Sequence, residues 1–169
     1  MMIIYVDTFA TPLGHMTAAA TEAGAICLLD FADCLDRSEQ LLQRRFGNFE
    51  RKPGLNPQGV RDRLADYFAG LNPATAFRDL ALDVGGTPFQ INVWAALKQI
   101  PYGQTISYSD LAVRVKSPRA VRAVGSANGK NPIAIIVPCH RVIGKDGSLA
   151  GYAGGVSRKQ KLLELESAI

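Results

Sequence analysis

The residues best equipped for chemistry stand together in Val137-Pro138-Cys139-His140-Arg141-Val142-Ile143. The chain has three cysteines and two histidines, His15 and His140, so one of the two imidazoles adjoins a thiol. A thiolate is a strong nucleophile, and a nearby imidazole, acting directly or through water, can take the thiol proton and lower its pKa. The preceding run, Ile133-Ala134-Ile135-Ile136-Val137, is apolar and rich in β-branched residues, which predicts a buried strand. Pro138 has no backbone N–H and pushes Val137 into an extended conformation, so it would end that strand just before the cysteine. The plain alternative is a buried thiol of no reactivity beside a surface histidine.

The 169 residues, 47% hydrophobic and 20% charged, suffice for one sizeable core or two small lobes. No apolar run approaches a membrane span, and the start, Met1 to Asp7, lacks the pattern of a signal peptide. Cys27, Cys34 and Cys139 are an odd set without framework spacing, as expected in a reducing cytoplasm. Cys27 and Cys34, with His15 as the nearest histidine, form a weak zinc pattern; buried thiols are the simpler expectation, and neither metal nor cofactor is expected. Charge is uneven. Residues 1–86 hold 8 Lys/Arg and 11 Asp/Glu (net −3), whereas residues 87–169 hold 11 and 4 (net +7). A basic C-terminal half points to a polyanionic partner.

The elements that must position this stretch can be read in order. Residues 3–9, 14–20 and 24–31 predict three antiparallel strands, with turns at Thr11-Pro12-Leu13-Gly14 and Thr21-Glu22-Ala23-Gly24. Asp36 with Glu39 predicts a capping box for a helix to about residue 46, and Arg51 to Pro57 reads as a loop. Pro57 is expected to open a second helix with Val60, Leu64, Tyr67 and Phe68 inward, stopped by Gly70. Leu80-Ala81-Leu82 is a candidate further strand.

Gly85-Gly86 marks a boundary between residues 1–84 and 85–169. Thr87-Pro88-Phe89-Gln90 is a capping box with proline at the first helical position, opening a helix to about Gln99 with Trp94 in the core. Ser107-Tyr108-Ser109-Asp110 is another capping box, for a helix to about Lys116. Ser117-Pro118 is expected to cap a third helix over Arg119 to Ala127, and two short helices joined this way have helix-turn-helix character. The second of them combines Arg119 and Arg122 with the small residues Ala120, Ala123 and Gly125, a pattern suited to close approach to phosphates or bases. Gly151-Tyr152-Ala153-Gly154-Gly155 lacks phosphate-loop spacing but lets backbone N–H groups approach a flat ligand. Ser157 is expected to cap a last helix, with Leu162, Leu163 and Leu165 inward and Glu164 and Glu166 near its end. The fold class predicted is α+β: a small N-terminal α/β domain with a three-stranded antiparallel sheet, then a mainly helical domain.

Residues 85–169 resemble the O6-alkylguanine-DNA alkyltransferases, the methylated-DNA–protein-cysteine methyltransferases. The resemblance is carried by Gly86 to Gln90, Ile100 to Gly103, Ser107-Tyr108, Arg119 to Asn131, Val137 to Ile143, Gly151 to Gly155, Leu162-Leu163 and Glu166. The first half is similar in pattern but less specific, and the whole looks most like the short bacterial Ogt-type proteins. The resemblance implies that Cys139 is the alkyl acceptor, that His140 deprotonates it through a water, and that Glu166 orients His140. Tyr108 would donate to guanine N3, the Ala153 N–H would face O6, and the Cys139 and Val142 carbonyls would accept from the exocyclic amine. Arg122 would fill the stack after base flipping, with Ser107, Arg119, Ala120, Ala123 and Asn128 also at the DNA. Val142, Ala150, Tyr152 and Ala153 would line the base pocket, and Asn131 and Arg141 would be structural. Ala153 stands where some members have serine, and Ala150 where some have glycine, which narrows the pocket.

The activity implied is single-turnover transfer of a methyl or small alkyl group from O6 of guanine, or O4 of thymine, in duplex DNA by a cytoplasmic monomer working in the minor groove. Three other readings are a cysteine hydrolase using the same triad, a non-catalytic sensor of alkylated DNA and a helix-turn-helix regulator. The hydrolase would turn over esters or amides, the sensor would lack the reactive cysteine, and the regulator would need a symmetric dimer and base-specific affinity.

Overall fold

Thr11-Pro12-Leu13-Gly14 turns as its residues demand: the Thr11 hydroxyl donates to the Gly14 carbonyl at 2.6 Å and accepts from the Leu13 N–H at 3.2 Å. The flanking runs therefore pair as β1 (Met2–Thr11) and β2 (Gly14–Thr21), antiparallel, and β2 continues antiparallel to β3 (Ile26–Phe31). The computed structural model describes residues 1–169 and divides into two compact units, Met1–Gly85 and Gly86–Ile169.

In the first unit the sheet has four strands, not the three antiparallel ones expected. Phe49–Pro53, which overlaps the expected loop, forms β4 and pairs parallel with β1, giving the order β3-β2-β1-β4. Its charged, mostly exposed residues Glu50, Arg51 and Lys52 hide the strand from a hydrophobicity pattern and suit a sheet edge. Helix α1 (Leu35–Phe46) makes the crossover between β3 and β4. The Asp36–Glu39 capping box does not form: the N-cap is Cys34, without a side-chain bond, and Glu39 instead pairs with Arg51. Leu42 of α1 packs on Ile4, Ala19, Cys27 and Leu28 in the core. Asp30 of β3, 1% exposed, takes hydrogen bonds from Arg37 and Ser38 and ties α1 to the sheet. Helix α2 (Val60–Ala69) starts three residues after Pro57, which opens a 3-10 turn instead, and Gly70 in the left-handed region ends it as expected. Val60, Leu64 and Tyr67 are buried. Leu80 to Leu82 supply one bridge, Leu82 beside Ile26, rather than a strand.

The second unit is mainly helical. Both capping boxes form as the spacing predicts: Thr87 with Gln90 opens α3 (Pro88–Leu97), and Ser107 with Asp110 opens α4 (Tyr108–Arg114). Trp94 of α3 is 4% exposed, and its indole N–H donates to the Ala127 carbonyl at 2.8 Å, fastening α3 to α5 (Val121–Gly129). Gly86 has φ +87°, and a Cβ there would come within 2.6 Å of the Trp94 ring, so a side chain at 86 would displace this anchor. Helix α5 begins two residues later than expected. Ser117 and Pro118 shape a turn, closed by the Ala120 N–H on the Ser117 carbonyl, and Arg119 lies in that turn. Two short parallel strands, β5 (Ile106–Ser107) and β6 (Val142–Ile143), set the start of α4 beside the stretch that holds Cys139. Helix α6 (Val156–Leu165) is capped by Gly155 rather than Ser157, and Leu165, expected inward, is 36% exposed.

The predicted strand 133–137 is absent. This run is fully buried but bends through turns: Val137 N–H donates to Ile133 O at 3.0 Å and Ile136 N–H to Ala134 O at 2.8 Å. Ile135 has φ +69°, a costly conformation for a β-branched residue. The apolar run signals burial correctly; what it cannot signal is that its backbone partners come from a side chain. Asn131 donates to the Val137 carbonyl at 2.7 Å and accepts from the Ile133 N–H at 3.0 Å.

Asn131→Ala would strand both of those buried backbone groups. Each costs about 1–3 kcal/mol, so urea unfolding is expected to show a loss of about 2–6 kcal/mol. A loss under about 0.5 kcal/mol would show that Asn131 does not hold this segment.

Candidate active site

Cys139 is the first residue of a 3-10 turn, Cys139–Arg141, and is 7% exposed. Its N–H donates to the Val137 carbonyl at 2.8 Å, and the Arg141 N–H closes the turn on the Pro138 carbonyl at 3.0 Å. The thiol therefore stands on a turn held by its own backbone, not at a strand end. Pro138 lies at the N-cap of this turn, where its missing N–H costs nothing.

His140 and Glu166 meet in the interior. Both side chains are fully buried, and His140 Nε2 lies 2.8 Å from Glu166 Oε2. Arg141 completes the arrangement: its Nε donates to Glu166 Oε1 at 2.7 Å, its Nη2 to Oε2 at 3.0 Å and its Nη1 to the Ile100 carbonyl at 2.8 Å. Burial by itself would raise the Glu166 pKa. The hydrogen bonds and charges of His140 and Arg141 outweigh that and hold it at about 2, so Glu166 is a carboxylate. For His140, burial is the larger influence and lowers its pKa below 6.5 against the pull of Glu166. The two shifts pull on one bond in opposite senses. The directions that hold together are an ionised glutamate, secured by a permanently charged arginine, and an imidazole neutral at pH 7. A neutral imidazole bonded to a carboxylate through Nε2 carries its proton there, which assigns the tautomer from the hydrogen-bond pattern. The buried Nδ1, which has no hydrogen-bond partner in the protein, is then an unprotonated base.

The remaining wall is built around Lys159, which sequence reasoning misses. It is 0% exposed, and its ammonium donates to the Val142 carbonyl at 2.6 Å and the Ala150 carbonyl at 3.0 Å. The nitrogen lies 5.7 Å from the centre of the Tyr108 ring. Burial lowers its pKa, while the nearby Cys139 sulfur works against that. A signal does exist: Lys159, Leu162, Leu163 and Glu166 share one helical stripe, so the lysine stands on the inward face of α6. Tyr108, the first residue of α4, donates its hydroxyl to the Ala150 carbonyl at 3.2 Å. Burial, then the Cys139 sulfur, raise its pKa, so it is a neutral phenol at pH 7. Gly151, at φ +80°, passes so close that a Cβ would lie 3.2 Å from that hydroxyl.

The structure thus sets Tyr108 and Lys159, with Val142 and Ala150, near Cys139, and joins its chain neighbours His140 and Arg141 to Glu166. Tyr152 is half-buried and Ala153 exposed in the neighbouring loop. Arg119, Arg122 and Ala123 are exposed, and Ser107 and Ala120 partly so. Asn128, expected at the surface with them, is 3% exposed, and its amide N–H points to the Cys139 carbonyl at 3.4 Å. A nucleophile, a base with its orienter and a neutral hydroxyl donor are the parts of a group-transfer site in which sulfur attacks and a leaving group needs a proton.

Residues 88–168 match the family model described as 6-O-methylguanine DNA methyltransferase, DNA binding domain. The chain is 47% identical over 168 residues to the methylated-DNA–protein-cysteine methyltransferase of Salmonella typhimurium, covering 98% of this chain and 97% of that one. Among solved structures it is similar to the Mycobacterium tuberculosis O6-methylguanine methyltransferase (TM-score 0.79, 42% identity, 98% of this chain and 93% of that one). It is equally similar to the Mycobacterium tuberculosis OGT in complex with DNA (TM-score 0.78, 42% identity, with the same coverage). Near-complete coverage at these identities, together with a cysteine–histidine–glutamate constellation on that fold, places the chain in the methylated-DNA–protein-cysteine methyltransferase family.

Proposed function

We propose that this protein repairs alkylated DNA by direct reversal, moving the alkyl group irreversibly to its own Cys139. The observation that carries the site assignment is the buried His140–Glu166 pair, which leaves His140 Nδ1 as a base next to the cysteine in sequence. His140 takes the thiol proton, directly or through a water, and the sulfur attacks the saturated carbon of the alkyl group. The C–O6 bond breaks as the S–C bond forms, and its electron pair leaves with guanine. Tyr108 gives its proton to guanine N3, so that the base departs neutral, and recovers one from solvent. The product is a thioether, which has no carbonyl for water to attack and a sulfur that is a poor leaving group, so each chain acts once.

The basic second half supports DNA as the partner. In this reading residues 85–169 bind DNA and accept the alkyl group, and residues 1–84 are a scaffold. Helices α4 and α5 act as a helix-turn-helix pair in the minor groove, where the small residues Ala120 and Ala123 permit close approach. Arg122 occupies the gap left by the flipped base, which costs a few kcal/mol to extrude. Val142, Ala150, Tyr152 and Ala153 line the base pocket. O4-alkylthymine is the second substrate, and the protein works as a monomer in the cytoplasm, in keeping with three thiols of no framework spacing.

Mass spectrometry after incubation with an O6-methylguanine duplex is expected to show one methyl group per chain, on Cys139, and none on Cys139→Ser. More than one methyl transferred per chain, or methylation elsewhere, would contradict direct reversal. Glu166→Gln removes the charge that orients His140 and is expected to slow transfer about 100-fold. In the wild-type protein His140 is already neutral at pH 7, so the rate should hold between pH 7 and 6.5 and fall only below 6.5 as the imidazole takes a proton. A rate half lost by pH 7 would show that the base is a different group. Arg122→Ala should slow repair of the duplex well beyond any effect on free alkylguanine; equal losses on the two substrates would remove the finger role.

A further inference from the structure

Helix α5 carries more than the face expected to meet DNA. Gly125 and Asn128, three residues apart, share one side of it. A Cβ at Gly125 would lie 3.8 Å from the Tyr108 ring, so this side of the helix rests on the tyrosine. One turn on, Asn128 is 3% exposed and directs its amide N–H at the Cys139 carbonyl, 3.4 Å away. Its Oδ1 is buried with no hydrogen-bond partner in the protein. A half-satisfied amide costs free energy that a leucine of the same size would not, so the polar group needs a reason at this position. The one available lies on either side of its NH2. One N–H serves the Cys139 carbonyl, and the other is left for the Tyr108 oxygen, whose own proton goes to Ala150 O.

We infer that Asn128 is a positioning residue, whose side-chain amide spans the Cys139 carbonyl and the Tyr108 hydroxyl and so sets the proton donor in register with the attacking sulfur. This deepens the function proposed above and rests on it. The electrostatics of Tyr108 agree: burial and the Cys139 sulfur push the phenol up, and a hydrogen bond from Asn128 pulls it back toward acidity. An N–H donated to the phenol oxygen directs the hydroxyl proton away from Asn128. In the free protein that proton rests on the Ala150 carbonyl, and with a base in the site it would turn to the purine nitrogen. Because Asn128 and Arg122 stand on one helix six residues apart, the helix proposed to enter the groove also holds the donor and the nucleophile's backbone.

The test is a double-mutant cycle on the full chain. Single-turnover methyl transfer to Cys139 from an O6-methylguanine duplex is timed by mass spectrometry for the wild type, Asn128→Leu, Tyr108→Phe and the double variant. Asn128→Leu is expected to be about tenfold slower, the worth of one well-placed hydrogen bond. If Asn128 acts through Tyr108, the double variant should match Tyr108→Phe within about twofold. Affinity for an unmodified duplex should be unchanged. Losses that multiply in the double variant, or a loss of duplex affinity with an unchanged rate, would overturn the inference. A wild-type chain that takes no methyl would overturn the proposed function and this inference together, whereas multiplying losses leave the function standing. Should Asn128→Leu fail to fold, Asn128→Ser enters the same cycle, since one hydroxyl proton can serve only one of the two acceptors.

Discussion

A carboxylate taken out of water costs several kcal/mol unless its partners are close and well aimed. Glu166 satisfies that condition with Arg141 on both oxygens and His140 on one. The proposed chemistry rests on this balance. His140 and Arg141 together keep Glu166 ionised against the cost of burial. The ionised Glu166 fixes the proton of His140 on Nε2, and Nδ1 is left basic in a place where water is scarce. Were the arginine absent, the glutamate would compete for the histidine's proton and the tautomer would no longer be determined. The proposed triad is therefore better described as four residues, two of which, His140 and Arg141, are neighbours in the chain and both answer to the same carboxylate.

The opposite wall depends on a second buried charge with no acidic partner among its hydrogen bonds. Lys159 is stabilised by two backbone carbonyls, from β6 and from the loop ahead of α6. This lashes the loop to the strand that comes after the reactive turn. The short parallel pairing of β5 with β6 brings the start of α4 to the same point, with Tyr108 as its first residue. An ammonium near the Cys139 sulfur also favours its thiolate form, although its contacts identify it first as the strut of the wall.

In the buried segment before Cys139 a side chain pairs the backbone. A strand would have placed Val137 and Cys139 in a ladder and left the thiol's direction to the pleat. Turns 133–137 instead use Asn131 for what a neighbouring strand would have supplied, at the expense of a left-handed Ile135. Such strain persists only where surrounding packing enforces it, and here every residue from 131 to 140 is buried.

Much of the molecule is legible in its residues alone. Cys139-His140, the two capping boxes, Trp94 in the core, the boundary at Gly85-Gly86 and the α+β class all come from local rules, because caps, turns and apolar stripes are short-range properties of the chain. The starts of α1, α5 and α6 differ from expectation because the residues there allow two or three beginnings and packing selects one. Strand β4 escapes because its polar residues at a sheet edge carry no alternation to read. The irregular run 133–137 escapes because apolar composition reports burial, not backbone path. Residue types and spacing by themselves pointed to a candidate nucleophile, a neighbouring candidate base and a basic half suited to a polyanion. Only the tertiary structure decided that Arg141 shares Glu166 with His140, that Lys159 is buried against two carbonyls and that Asn128 faces Cys139. Each of these is a contact between residues 9 to 26 positions apart, and the cost of burying a charge or an amide can be judged only once the partner across that distance is in place.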